Sequence, residues 1–445
     1  MSYDSPACVE LRDKVPVDWE VESLDSVTNF QEGPGILAKD FREVGVPLLR
    51  LRNIESPTVQ LAGCNFLDAE KVDSKWSHFR LQLGDLLIST SASLGRVSVV
   101  GHEAVGTVAY TGIIRFRSSS ERLHHQYLRA FLSSKSFIEQ AESMATGSVI
   151  KHFGPTHLRQ MAITLPPVKE QVQIAELFDV LDDRITLLRE TNVTLEAIAQ
   201  ALFKSWFVDF DPVRAKAEGR PPEGMDSAAA ALFPDSFEDS DLGVVPKGWT
   251  VRSLDSVADY LNGLALQKFP PTENEWLPVI KIAQLRKGDT VGADRAGRNI
   301  KPEYIIKNGD VLFSWSGSLE VVIWSGGEGA LNQHLFKVTS TESPKWFYYL
   351  WTRHHLSDFQ QIAASKATTM GHIQRKHLTE AKVICPPAEL IQEAGAFIDP
   401  LLNRWLSNAE QAQALAELRD SLLPRLISGQ LRLPEAEEQI QKAMA

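Results

Sequence analysis

Two histidine pairs recur along the chain, His152 with His157 and His372 with His377, and imidazoles at a fixed spacing could hold a metal or move a proton. The spacing is H-x4-H, however, and residues five apart do not share a helical face. No cysteine or carboxylate recurs beside both pairs, so no metal is expected. Ser91 in STSAS and Ser316 in SWSGS could pose as nucleophiles, yet neither lies in a GxSxG elbow and no acid–base set repeats with them. A polar turn close to phosphate is the better reading of both. The chain has no GxxxxGK[ST] phosphate loop, no dinucleotide GxGxxG, no DPPY-type or NPPF-type adenine methyltransferase motif and no PD…ExK cluster. The residues point to contact and not to bond breaking.

The contact candidates come in matched sets. Arg50 and Lys281 hold equivalent places in VPLLRLRNI (46–54) and LPVIKIAQL (277–285), followed three residues later by Asn53 and Gln284. Basic residues hold phosphates and amides pair with adenine edges, although a solvated strand face fits the same pattern. Ser89, Ser91, Ser93 and Arg96 match Ser314, Ser316 and Ser318 in the turn after a Gly-Asp strand. Lys151 with His152, and Lys366 with Thr368, Thr369 and His372, precede the last strand of each half.

These sets match because the chain is one unit written twice. VPVDWEVESLDSV (15–27) returns as VPKGWTVRSLDSV (245–257), with Trp19 and Trp249 230 residues apart. Further pairs keep the same order: GDLLISTSASL (84–94) with GDVLFSWSGSL (309–319), and LPP (165–167) with CPP (385–387). A period near 220 is domain-sized, so it implies two like modules related by a pseudo-twofold axis.

Each copy has the same plan. Short β-branched runs bounded by turn residues predict strands at 46–54, 84–90, 95–100 and 106–117, then at 277–285, 309–315, 320–325 and 334–339. Helices are expected near 124–142 and 344–363, and a strand ending in proline (MAITLPP, AKVICPP) leads directly into a long helix. The first long helix carries a heptad seam, Ile174, Phe178, Leu181, Ile185, Leu188, Asn192, Leu195, Ala199, Leu202 and Trp206. The second repeats it with Ile398, Leu401, Trp405, Asn408, Leu415 and Leu422. An arm of about 40 residues spans about 60 Å, too long for one small module to cover, so the arms are expected to pair antiparallel. Asn192 and Asn408 then fix the register or lie at an exposed edge.

Composition sets the outer bounds. With 445 residues, 43% hydrophobic and 23% charged, the chain should bury proper cores. Cys8, Cys64 and Cys385 lack metal or disulfide spacing, which fits a reducing compartment. No apolar run is long enough to span a bilayer and no leader is evident, so the expected location is cytoplasmic, without a membrane partner. The net charge of −11 is uneven: residues 12–159 are neutral and 246–383 carry +4, while 160–245 carry −9. Neutral-to-basic modules on acidic scaffolding suit a polyanion that touches the modules only.

Residues 210–245, rich in Pro, Gly, Ala and acid, read as a linker with a few anchoring apolar residues. Together with KSWFVDFDPVRAK (204–216), LFPDSFEDSDLGVVPKGW (232–249), GHEAVG (101–106), NQHLFKV (332–338) and SLLPRLISGQL (421–431), this segment closely resembles the specificity subunit of type I restriction-modification enzymes. The resemblance spans nearly the whole chain.

It implies an α+β fold with two tandem, pseudo-twofold-related target-recognition domains separated by an antiparallel coiled coil of two long helices. The expected boundaries are 1–165 and 246–385 for the recognition domains, 166–209 and 386–430 for the spacer helices, 210–245 for the linker and 431–445 for a tail. Asn332, Gln333 and His334 match the family's NQH segment and join the DNA-contact set, although a turn-stabilising role fits them as well. The implied partners are double-stranded DNA carrying a bipartite asymmetric site, two copies of the adenine methyltransferase (modification) subunit, and motor-nuclease subunits. S-adenosylmethionine, ATP and Mg would belong to those partners, with no cofactor and no catalytic residue on this chain. A free-standing bipartite DNA-binding protein and a coiled-coil scaffold are the competing readings.

Overall fold

The computed structural model describes residues 8, 11–54, 57–90, 97–144, 153–273, 275–365 and 371–444. The chain divides into two compact units, Met1–Arg184 with Ala414–Ala445, and Ile185–Gln413. Each contains one copy of the repeat.

In the first unit, Glu20–Ser23 pairs antiparallel with Ala162–Leu165 and so closes the module at its base. Pro166 and Pro167 follow at once, and proline, which presets a helical φ, starts the long helix Val168–Phe207. An antiparallel sheet runs in the order Thr28–Glu32, Ile113–Ser118, Leu86–Ser89, Val97–Val99. A second sheet runs Phe41–Arg42, Asn65–Leu67, Val46–Leu49, Val108–Ala109, and its last pair is parallel. Leu49, Leu81, Leu87, Val100 and Ile113 fill one core, and Leu48, Leu67, Trp76 and Val108 fill another.

The second unit repeats the closing pair and the first sheet strand for strand, and three strands of the second sheet, whose fourth strand lies on the opposite edge. Thr250–Ser253 pairs with Lys382–Cys385; one sheet runs Asp259–Asn262, Leu335–Thr339, Val311–Ser314, Val321–Ile323. The other runs Arg295–Gly297, Trp276–Ile280, Gly329–Leu331, Ile305–Ile306, again with one parallel pair, Val279 opposite Ala330. A duplication legible in sequence is therefore a duplication of fold, and the fold class is α+β as expected.

Several elements depart from the sequence expectation, each for a local reason. The runs 46–54 and 277–285 are strands only to Leu49 and Ile280. Beyond them Asn53 Oδ1 accepts the Arg50 amide at 2.8 Å, and Gln284 Oε1 accepts the Lys281 amide at 3.3 Å. A side chain that captures a backbone donor three residues back turns the chain, giving the 3-10 turn Leu51–Ile54 and the helix Ile282–Lys287. The helix expected near 124–142 is two, His125–Ser133 and Lys135–Met144, because Ser134 is extended and its Oγ accepts the Phe137 amide at 3.2 Å. Its counterpart is likewise Lys345–His354 and Leu356–Ser365. Residues 210–245 are an ordered strap, with helices Asp211–Ala217 and Ser227–Leu232 and a hairpin of Phe237–Ser240 with Gly243–Pro246. Phe210, Val213 and Phe233 bury themselves with Trp249, which explains why this segment carries aromatics at all. The tail forms the helix Leu433–Met444.

The two arms, Val168–Phe207 and Ala388–Ile427, are 40 residues each and pack antiparallel as a coiled coil. In the first unit Ile174, Phe178 and Leu181 are buried, as are Leu415 and Leu422, and Arg419 Nη1 reaches Asp182 at 2.6 Å. In the second unit Ile185, Leu188, Ala199 and Phe203 are buried with Ile398, Leu402 and Ala412. Leu195, Leu202, Leu401 and Trp405 are only partly buried, so the seam rotates off the strict heptad there. The cause is the first arm's far end, where Phe203, Trp206 and Phe207 leave the seam for the aromatic core around Trp249, Trp346 and Trp351.

Candidate nucleic-acid interface

In each unit three stretches of chain meet at one rim of the first sheet. In the first, the Thr90 amide donates to Gly112 O at 3.0 Å and the Phe153 amide to Thr90 O at 3.4 Å. In the second, the Trp315 amide donates to His334 O at 3.3 Å and the Ile373 amide to Trp315 O at 3.0 Å. The rims are superposable in their bonding.

A glycine holds each rim at the same point. Gly33 and Gly263 donate to Ile113 O and Leu335 O, both at 3.0 Å. A Cβ on Gly33 would stand 2.1 Å from Ala109 O, and one on Gly263 would stand 2.2 Å from Asn332 O. Only a residue without a side chain lets the backbones approach so closely.

The side chains on this shared frame differ. Tyr110, Thr111 and Gly112 in the first module stand where Asn332, Gln333 and His334 stand in the second, and Thr90 stands where Trp315 does. In the second module Ser316 Oγ and His334 Nδ1 are 2.9 Å apart, and Trp315 Nε1 donates to Asn262 Oδ1 at 2.9 Å. Trp315 also lies against His334 and His372, with ring centroids 5.9 and 6.4 Å apart. His372, Ser318 and Asn262 are exposed. In the first module Glu32 Oε1 accepts from Thr111 Oγ1 at 3.1 Å and from the Gly112 amide at 3.0 Å, so an acid occupies the place of Asn262.

Not every residue expected at this surface reaches it. Asn53 is 1% exposed and its Nδ2 donates to Gln60 O and Ala62 O at 2.8 and 3.1 Å. Gln284 is buried as the partner of the Lys281 amide. Both amides are occupied inside the fold, which corrects the expectation that they present themselves to base edges. Ser89, Ser314 and Ser316 are also buried; Ser314 Oγ donates to Ser318 O at 2.7 Å and accepts the Glu320 amide at 2.8 Å, tightening the turn. Asn332 is buried and accepts the His334 amide at 3.2 Å, whereas Gln333 and His334 remain partly exposed. Lys281 pairs with Asp294, and Arg50 lies between two aromatic rings. Ser91, Ser93, Arg96, Lys151, His152, Lys366, Thr368 and Thr369 lie outside the described residues.

The repeated histidines have a structural explanation. His157 Nδ1 accepts the Gly154 amide at 3.1 Å and His377 Nδ1 accepts the Gln374 amide at 2.9 Å, so each caps the short helix before the last strand. Among the described residues no group of three or more His, Cys, Asp or Glu could hold a metal. No described helix is long and apolar enough to cross a membrane.

Sequence reasoning missed Trp315, Tyr110, Phe41 and Asn262. Three of these, Tyr110, Trp315 and Asn262, sit at aligned positions where the copies differ, so a search for mismatch at the frame would have found what a search for match could not.

Elsewhere the modules grip the arms through charge. In the first unit Arg129 reaches Asp179 at 2.8 Å and Asp182 at 3.3 Å. Burial nevertheless holds the Asp179 carboxyl above the usual carboxylate range. In the second unit Arg353 and Tyr349 converge on Glu196 at 2.9 and 3.0 Å.

Comparison with known proteins agrees with this architecture. The family model for the type I restriction modification DNA specificity domain matches residues 16–197 and 246–417, one match per copy. The type I restriction enzyme MjaIX specificity subunit of Methanocaldococcus jannaschii is 24% identical over 443 residues, covering 95% of each chain. The HindI specificity subunit of Haemophilus influenzae is 26% identical over 321 residues, covering 61% of this chain and 69% of the relative. In fold, the S subunit of a type I restriction-modification system from M. genitalium matches with a TM-score of 0.51 at 14% identity, covering 96% of this chain and 99% of that one. With the family's domain present in both halves of a duplicated α+β chain, this protein belongs to the specificity subunits of type I restriction-modification systems.

Proposed function

We propose that this chain is the DNA-reading, non-catalytic subunit of a restriction-modification complex and recognises a bipartite asymmetric site, one half per module. The observation that carries the reading is a shared frame with unshared side chains: two rims bonded alike present Tyr110, Thr111 and Gly112 in one case and Asn332, Gln333 and His334 in the other. One docking frame with two sets of side chains suits one duplex with two different half-sites.

The DNA-facing set that remains after burial is Arg50, Gln333, His334, Ser318, His372 and Lys281, joined by Trp315 and Asn262. The coiled-coil arms set the gap between half-sites and offer long outer faces to two modification subunits, with motor-nuclease subunits joining the same assembly. Adenine methylation, ATP use and cleavage belong to those partners, which carry S-adenosylmethionine, ATP and Mg; the complex acts on chromosomal and incoming DNA in the cytoplasm.

The test is to express the chain with its modification subunit and map methylated adenines across the host genome. A two-part motif with a fixed gap is expected; methylation without such a motif, or none in the presence of a folded complex, rejects the reading. Tight sequence-specific binding by the chain alone would favour a free-standing regulator instead.

A further inference from the structure

Arg50 stands out in the first module. Its guanidinium lies between the rings of Phe41 and Tyr110, 5.0 and 5.1 Å from their centroids. Its Nε is buried without a hydrogen-bond partner, and among the described residues the two terminal guanidinium nitrogens make no hydrogen bond or ion pair. The aromatic clamp is itself fixed, since Phe41 and Tyr110 pack against the core of Ile36, Leu48, Leu67, Trp76 and Val108.

Position adds to this. Leu49 and Ala109 are partners in the parallel pair, so Arg50 and Tyr110 are the next residues on neighbouring strands, and the Tyr110 amide donates to Leu49 O at 3.0 Å. Tyr110 leads directly into Thr111 and Gly112 of the rim. Arg50 is thus a cation set beside the DNA-facing edge, its guanidinium held by two rings and its side-chain donors unused among the described residues.

A buried Nε with no acceptor is unfavourable in the free protein, so the two rings must impose its place, which leaves the terminal nitrogens of the fork as the donors a ligand can meet. A solvated lysine suffices for phosphate, whereas a planar fork fixed in orientation matches two acceptors in one plane, as on the O6 and N7 edge of guanine. The second module lacks this device: Lys281 stands in the equivalent place and is paired with Asp294.

We infer that Arg50 is a specificity-determining residue that reads a guanine in the half-site bound by the first module, with Phe41 and Tyr110 as its positioning residues. The inference rests on the bipartite reading above.

The experiment uses the full chain in complex with its modification subunit, binding duplexes that carry the mapped motif and each single base-pair change within it. Low salt keeps mismatched duplexes measurable through phosphate contacts. For the wild type, one G·C pair in one half should be preferred by roughly 5- to 150-fold over its replacements. In Arg50→Lys, which installs the second module's residue and keeps the charge, that preference should fall to near unity, with the other half and the gap unchanged. Phe41→Leu should weaken the same preference in part. A preference unchanged in Arg50→Lys overturns the inference, as does equal weakening on every duplex, the mark of a phosphate contact or of a structural role. A wild-type complex with no split motif removes the bipartite reading and this inference with it.

Discussion

Asn408 donates its Nδ2 hydrogen to Asn192 Oδ1 at 3.0 Å, and Asn192 donates its own to the carbonyl of Trp405 at 2.9 Å. Both asparagines are buried, at 1% and 8% exposed, in a stretch otherwise lined by Leu188, Ile398 and Ala412. This chain of bonds fits only one antiparallel register of the arms. Asn192→Leu should strand the Asn408 amide and lower stability by about 1–3 kcal/mol. The double variant Asn192→Leu/Asn408→Leu should recover most of that loss while relaxing the register. Chemical denaturation of the four proteins in a double-mutant cycle measures the coupling; additive losses would show that the pair is not a unit.

Matched insertion of one heptad into both arms should lengthen the gap in the methylated motif and leave both half-sites unaltered. A heptad adds about 10 Å of helix while keeping the seam in phase. Methylome mapping reads this directly, and an unchanged gap would mean that something other than the arms sets the spacing.

Gly33→Ala and Gly263→Ala should each destabilise its own unit by about 1–3 kcal/mol, since the added methyl meets backbone oxygen at 2.1 and 2.2 Å and cannot be relieved by side-chain rotation. Thermal unfolding should lose cooperativity in the affected unit only. Equal, small shifts in both variants across the whole molecule would contradict the rim as a close-packed backbone contact.

Acidification should weaken the second unit. Burial lowers the proton affinity of His354 and His355, and His355 Nε2 is held against Lys382 O at 2.8 Å. Just below pH 6.5 the unfolded chain therefore binds more protons than the folded one, so stability contributed by the neutral imidazoles is lost as pH falls through that window. Denaturant midpoints measured between pH 7.5 and 5.5 should decline, and His355→Gln should flatten the decline. A midpoint that is independent of pH over this range in the wild type would show that the pair is not protected from protonation.

The duplication, the strand and helix order, the 40-residue arms and the absence of known catalytic motifs were all legible in the sequence, because hydrophobic period and repeat order are local properties of the chain. Turn chemistry was legible less well: Asn53 and Gln284 looked like surface amides, yet both close turns from inside, a role fixed by backbone three residues away. The histidines show the same limit: their spacing argued against ligation but did not reveal the helix-capping role that His157 and His377 take.

What only the tertiary structure decided is which polar groups remain free once the fold has satisfied itself. Arg50 and Lys281 align in sequence as equals, but Phe41 and Tyr110, nine residues before Arg50 and 60 after it, clamp the first, while Asp294 pairs with the second. Composition and spacing state which side chains a chain possesses; the long-range contacts that bury or satisfy them determine which are left to meet a partner.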